Sequence, residues 1–276
     1  GTFEGGKKAN MQKIFALLWI CPLLVLAAAE TRRIINQTPL KNDPAHVIIR
    51  DTVYRWPNSE MIYQFTDIPQ IDIDNILDAM EAISNRTCVT FKARTTETDY
   101  VSFIDDNSGC YSTSIGRAGG QQVINMSPGC HQNYEMSGIA QHEILHALGI
   151  QHEMTRPGRN KFINVLWENI DPTYWSQYQE RSDFNYDSVG TPYDYGSVMH
   201  YSTGGFSIGG PTMEILKPYS GQIGQRSKLS NGDVERVLRM QNCPANKGKK
   251  GKLSVRIKRA TDFSTPTLGV PNSYVR

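Results

Sequence analysis

Residues 142–152 read His-Glu-Ile-Leu-His-Ala-Leu-Gly-Ile-Gln-His, and no other stretch restricts the fold of this chain so tightly. The run from Ser137, with Ile139, Ile144, Leu145 and Leu148, has the apolar period of a helix. Residues four apart on a helix stand one turn above the other, so His142 and His146 project to the same side. Gly149 can take a positive φ and turn the chain sharply, which returns His152 from another direction. Three imidazoles converging in this way favour one Zn2+ ion with its fourth position open to water, whereas a closed structural site uses four protein ligands. Zinc lowers the pKa of such a water toward about 7, and Glu143, beside the first ligand, stands where a general base is needed. A bare H-E-x-x-H is compatible with ordinary core or surface histidines. The glycine and the third histidine at fixed offsets leave little room for that reading.

The rest of the chain sets the context. Basic and acidic residues number 15 and 23 over residues 47–243, and 8 and 1 over 244–276, so an acidic body of charge −8 carries a basic tail of +7. An acidic body excludes nucleic acid as an expected partner. The tail, with its KGKKGK run, is expected to be a disordered segment that could contact an acidic matrix or be processed at Arg256–Arg259. Met11 and Lys13 precede an apolar run, Ile14–Ala29, that closes in small residues. Broken by Pro22, it falls short of the roughly 20 residues of a membrane span, so residues 11–29 read as a signal peptide and stable membrane insertion is not expected. Residues 1–10 are expected to be translated leader or expression-derived sequence, and the polar residues 30–46 a short pro-segment. A secreted chain keeps Cys88, Cys110, Cys130 and Cys243 after loss of Cys21, an even set that predicts two disulfides with three pairings open. The sequons at Asn36 and Asn85 fit the same compartment.

Between the termini the pattern is mixed α/β. MIYQF, CVTFK, YVSFI and QQVINM read as strands, and Ile73, Ile76, Leu77, Met80 and Ile83 as one face of a helix that Asp72 or Asp74 could cap. After Gly149 the chain looks irregular up to about Ser230, where DVERVLRM begins a last helix. There is no internal repeat.

About fifty residues beyond the histidines lies Asp194-Tyr195-Gly196-Ser197-Val198-Met199-His200-Tyr201. Together with the extended histidine motif and Glu153, this segment resembles the astacin family of metzincin metallopeptidases over about residues 47–243. RTTETDYVSF from Arg94 and GCYSTSIGRAGGQQVI from Gly109 are similar to that family as well. The resemblance implies a metzincin fold: a twisted mixed amino-terminal sheet with helices, an irregular carboxy-terminal subdomain and a cleft between them. It implies a secreted, monomeric zinc endopeptidase acting on protein or peptide substrates. Met199 would form a hydrophobic floor under the metal. Tyr201 would offer its phenolic oxygen to zinc and, with substrate bound, to the oxyanion. Glu153 would pair with an amino terminus freed near Val47, the alternative being a solvent-exposed glutamate on a polar loop. Residues Gly119–Asn125 would be the edge strand against which an extended substrate adds, the alternative being an interior strand, since periodicity does not decide between them. The pairing would be Cys88 with Cys243 and Cys110 with Cys130. The family's Phe-x-Gly-Asp latency motif is absent from residues 30–46, where Asp43 is a candidate substitute in a zymogen. The rival readings are a catalytically silent secreted binding protein or toxin and a zinc hydrolase that is not a protease.

Overall fold

Strand β1 (Glu60–Phe65) buries Met61 and Ile62 in the core of the amino-terminal half. The computed structural model of the chain describes residues 52–131, 136–181 and 187–244. The expected leader, signal peptide, pro-segment, Asp43, the Val47 terminus and the basic tail lie outside the described residues. Strands β2 (Thr90–Ala93), β3 (Tyr100–Ile104), β4 (Cys110–Ser112) and β5 (Gln121–Met126) join β1 in a five-stranded sheet of order β2-β1-β3-β5-β4. All pairs are parallel except β4 with β5, which run antiparallel.

Parallel neighbours need a crossover, and α1 (Gln70–Ser84) supplies it between β1 and β2. Its Ile76, Ala79, Met80 and Ile83 are buried at the expected helical spacing. The expected aspartate cap is not there. Pro69 is the capping residue; its carbonyl accepts from Asp72 N and Ile73 N at 3.0 and 3.2 Å. Asp72 sits buried in the first turn, where the helix dipole favours a carboxylate.

The strand order overturns the edge-strand expectation. Residues Gln121–Met126 lie inside the sheet between β3 and β4, and the edge on that side is β4. The alternation in the QQVINM run does not reveal which strands flank it, and a three-residue neighbour that carries Cys110 is too short to show a period of its own. Helix α2 (Met136–Leu148) packs against α1 and β4, and Ala140, Ile144, Leu145, Ala147 and Leu148 are buried.

After Gly149, short 3-10 turns alternate with loops around a second apolar cluster of Met154, Ile163, Val165, Ile170, Tyr178, Tyr195 and Met213. An antiparallel pair, β6 (Ile163–Val165) with β7 (Met213–Ile215), lies within this stretch and leaves no signal in the sequence for the same reason of length. The last helix, α3 (Asn231–Met240), returns to the first core through Val234, Val237 and Met240. Disulfides join Cys88 to Cys243 and Cys110 to Cys130, as the resemblance implied, and the first closes a separation of 155 residues. Among the described residues no helix is long and apolar enough to cross a membrane.

Candidate metal centre

The end of α2 is built by Gly149. At φ 110° its N–H donates to His146 O at 2.8 Å, and the N–H of Ile150 reaches Leu145 O at 2.9 Å. These two bonds close the helix in a Schellman turn. The same turn brings the Ile150 carbonyl to 2.7 Å from Nδ1 of His146, while Nδ1 of His142 lies 2.8 Å from the Val198 carbonyl. A carbonyl only accepts, so both Nδ1 atoms carry the proton and both Nε2 atoms keep a bare lone pair.

Those lone pairs converge. Nε2 of His152 lies 3.2 Å from Nε2 of His142 and 3.0 Å from that of His146. A tetrahedral zinc with bonds of about 2.0–2.1 Å separates two ligand nitrogens by roughly 3.3 Å, so the donor set fits the ion. Among the described residues this trio is the only group of three or more such side chains able to hold a metal. Burial, then the neighbouring imidazole and Arg226, hold His142 well below the usual imidazole range; burial chiefly brings His146 down to about 4. His152 is likewise held low, first by burial and then by the other two rings. All three are neutral at physiological pH, as zinc ligation requires.

Glu143 is buried beside them. Burial pushes its carboxyl up to about 8, against the opposing pull of Arg226 and of the Ser112 backbone N–H. A divalent ion at the trio would draw it back toward the carboxylate. Tyr201 lays its ring 4.4 Å from that of His152, and burial raises its phenol so that it stays protonated. Met199 is fully buried in the turn that supplies the Val198 carbonyl.

That turn is held by a residue absent from the sequence-derived site. Asp233 of α3 accepts from Ser197 Oγ at 2.5 Å, from Val198 N at 2.9 Å and from Ser230 N at 2.9 Å. The Ser230-x-x-Asp233 spacing is a capping-box pattern and could have marked the helix start. Its second role, fixing the segment that orients His142, has no local signal. Glu153 also has partners that its motif does not announce. It is fully buried, so the solvent-exposed alternative is excluded, and it meets Arg156 at 2.8 Å and Arg236 at 2.5 Å. Burial alone would raise its carboxyl, but the two guanidinium groups and the Asp194 N–H hold it below the usual range. Arg156 in turn donates to the carbonyls of Thr191 and Pro192 at 2.6 and 2.8 Å, linking the histidine turn to the tyrosine segment.

Comparison with known proteins agrees with this geometry. The family model described as Astacin, a peptidase family, matches residues 48–242. The chain is 34% identical over 199 residues to zinc metalloproteinase nas-13 of Caenorhabditis elegans, covering 71% of this chain and 43% of that protein. It is 38% identical over 174 residues to high choriolytic enzyme 1 of Oryzias latipes, covering 62% of each. The chain thus spans between about two fifths and three fifths of these relatives' lengths. The solved structure of high choriolytic enzyme 1, a hatching enzyme zinc-protease from the same fish, superposes with a TM-score of 0.62 at 31% identity, covering 75% of this chain and all of that one.

Proposed function

The chain belongs to the astacin peptidase family, and from that premise we propose that it is a secreted zinc endopeptidase that hydrolyses peptide bonds in protein substrates. The observation that carries this reading is the convergence of three Nε2 atoms whose Nδ1 partners, for His142 and His146, are backbone carbonyls. Zinc held by His142, His146 and His152 would polarise the scissile carbonyl and acidify a water molecule. Glu143 takes a proton from the attacking water and passes it to the leaving nitrogen. Tyr201, protonated and beside His152, donates a hydrogen bond to the carbonyl oxygen as charge develops there.

An extended substrate adds along β4, the edge strand whose Ser112 faces Glu143, and backbone bonding supplies affinity with little side-chain selection. The two disulfides and the Ile14–Ala29 run support export. Glu153 acts as structural support: with Arg156 and Arg236 it anchors the chain that follows His152. If a terminus freed near Val47 also joins it, blocking cleavage there abolishes activity; full activity in the uncleaved chain removes that role.

The test is digestion of casein or gelatin by the zinc-loaded protein, with Glu143→Ala as control. Cleavage by the wild type and none by the variant is expected. No cleavage by either, with zinc bound in stoichiometric amount, would favour a catalytically silent binding protein.

A further inference from the structure

Beside Tyr201 the surface is aromatic and uncovered. Phe206 is 39% exposed and stands at φ 53°, in the left-handed region that bulky residues rarely adopt. Its ring lies edge-on to that of Tyr201 at 5.4 Å and stacks on Tyr174 at 4.1 Å, itself 40% exposed. Tyr201 in turn packs on His152, so an unbroken series of rings runs from the histidine trio to the surface.

The platform is built rigidly. The backbone of Asp171 donates to Phe206 O at 3.0 Å and accepts from Tyr174 N at 2.9 Å, which fixes one ring against the other. Tyr178 donates from its hydroxyl to Gly205 O at 2.6 Å, and Ile170 bridges Ser207. This loop holds a strained residue that leaves a large ring partly exposed, although a glycine or asparagine would satisfy the turn at less conformational cost. Strain held in place next to a reactive centre points to a role for the ring.

We propose that Phe206 and Tyr174 form a wall that reads a large apolar or aromatic side chain of the substrate close to the scissile bond. The proposal rests on the endopeptidase reading above and deepens it from reaction to substrate class. Two stacked ring faces offer edge and face contacts to an aromatic or long aliphatic group and nothing to a small polar one.

The test uses the full zinc-loaded protein and peptides that differ only by Phe or Ser at one position, scanned across three residues on each side of the bond. Phe206→Asn keeps a residue that tolerates the left-handed backbone and removes the ring. At one position the ratio of kcat/KM for the Phe peptide to that for the Ser peptide should fall about tenfold or more. The other positions should keep their ratios. Tyr174→Ser should shift the same position in the same direction, and it carries the test if Phe206→Asn does not fold. Unchanged ratios at every position overturn the proposal. Peptide affinity measured in the Glu143→Ala background reads recognition without turnover. Loss of Phe preference there, with no cleavage by the wild type, sinks the endopeptidase reading alone; no preference in either assay sinks the wall.

Discussion

The half of the molecule before Gly149 holds its functional side chains on regular elements, whereas the half after it holds them by side-chain hydrogen bonds to backbone. In the first, His142, Glu143 and His146 stand on α2, whose Ile144, Leu145 and Leu148 are buried. In the second, His152, Val198 and Met199 are placed by Gly149, Asp233 and Glu153, and loops are tied by arginines such as Arg159, which donates to Met154 O and Tyr178 O at 2.9 and 2.8 Å. An apolar face tolerates some repacking, but a buried carboxylate with several donors does not. The two halves should therefore fail differently when mutated.

The largest effect belongs to the shared chemistry. Glu143→Gln should lower kcat by roughly 10²–10⁴-fold with zinc stoichiometry unchanged, as measured by steady-state kinetics beside metal analysis. A variant that keeps near-normal kcat would remove the general base. Next comes Glu153→Gln, which takes the countercharge from two buried guanidinium groups and should cost about 3–5 kcal/mol of unfolding free energy. The sign with pH follows from its depressed carboxyl. Its stabilisation is whole above the ordinary value of 4.5 and is lost as pH falls through the lower folded value. The stability gap between wild type and variant should thus be widest at neutral pH and close on acidification, readable from denaturant melts across that range. A gap independent of pH would mean that Glu153 contributes by shape alone.

Asp233→Ala and Ile76→Ala sharpen the contrast between halves. Removing the Ile76 side chain from the first core should cost about 2–5 kcal/mol and leave zinc affinity as it was. Removing Asp233 unties the Ser197–Val198 turn that orients His142, so zinc affinity should fall about 10–100-fold as well. Equal zinc affinity in the two variants would break the comparison. The smallest effect is expected from Trp56→Phe, which loses the 2.8 Å bond from the buried indole to Ala147 O and should cost about 1 kcal/mol in a thermal melt.

Much of the first half was legible because its elements repeat a pattern long enough to read. α1 shows its face in Ile76, Met80 and Ile83, and β1, β3 and β5 appear as β-branched and aromatic runs. Which strand forms the edge was not legible, since order depends on partners far apart in the chain; β4, three residues long, takes the place expected for Gly119–Asn125. In the second half His152 and the Ser197–Tyr201 segment stood out as residue types at fixed spacing. Arg236, whose partner lies more than eighty residues away, did not.

From residues alone came the histidine trio, the turn at Gly149 and the family resemblance, because each depends on spacing within one helix turn or one short segment. The edge strand, the double pairing of Glu153 and the link from Asp233 through Val198 to His142 were decided only by tertiary structure. A buried charge takes whichever partners packing brings within reach, and no local period in the chain records them.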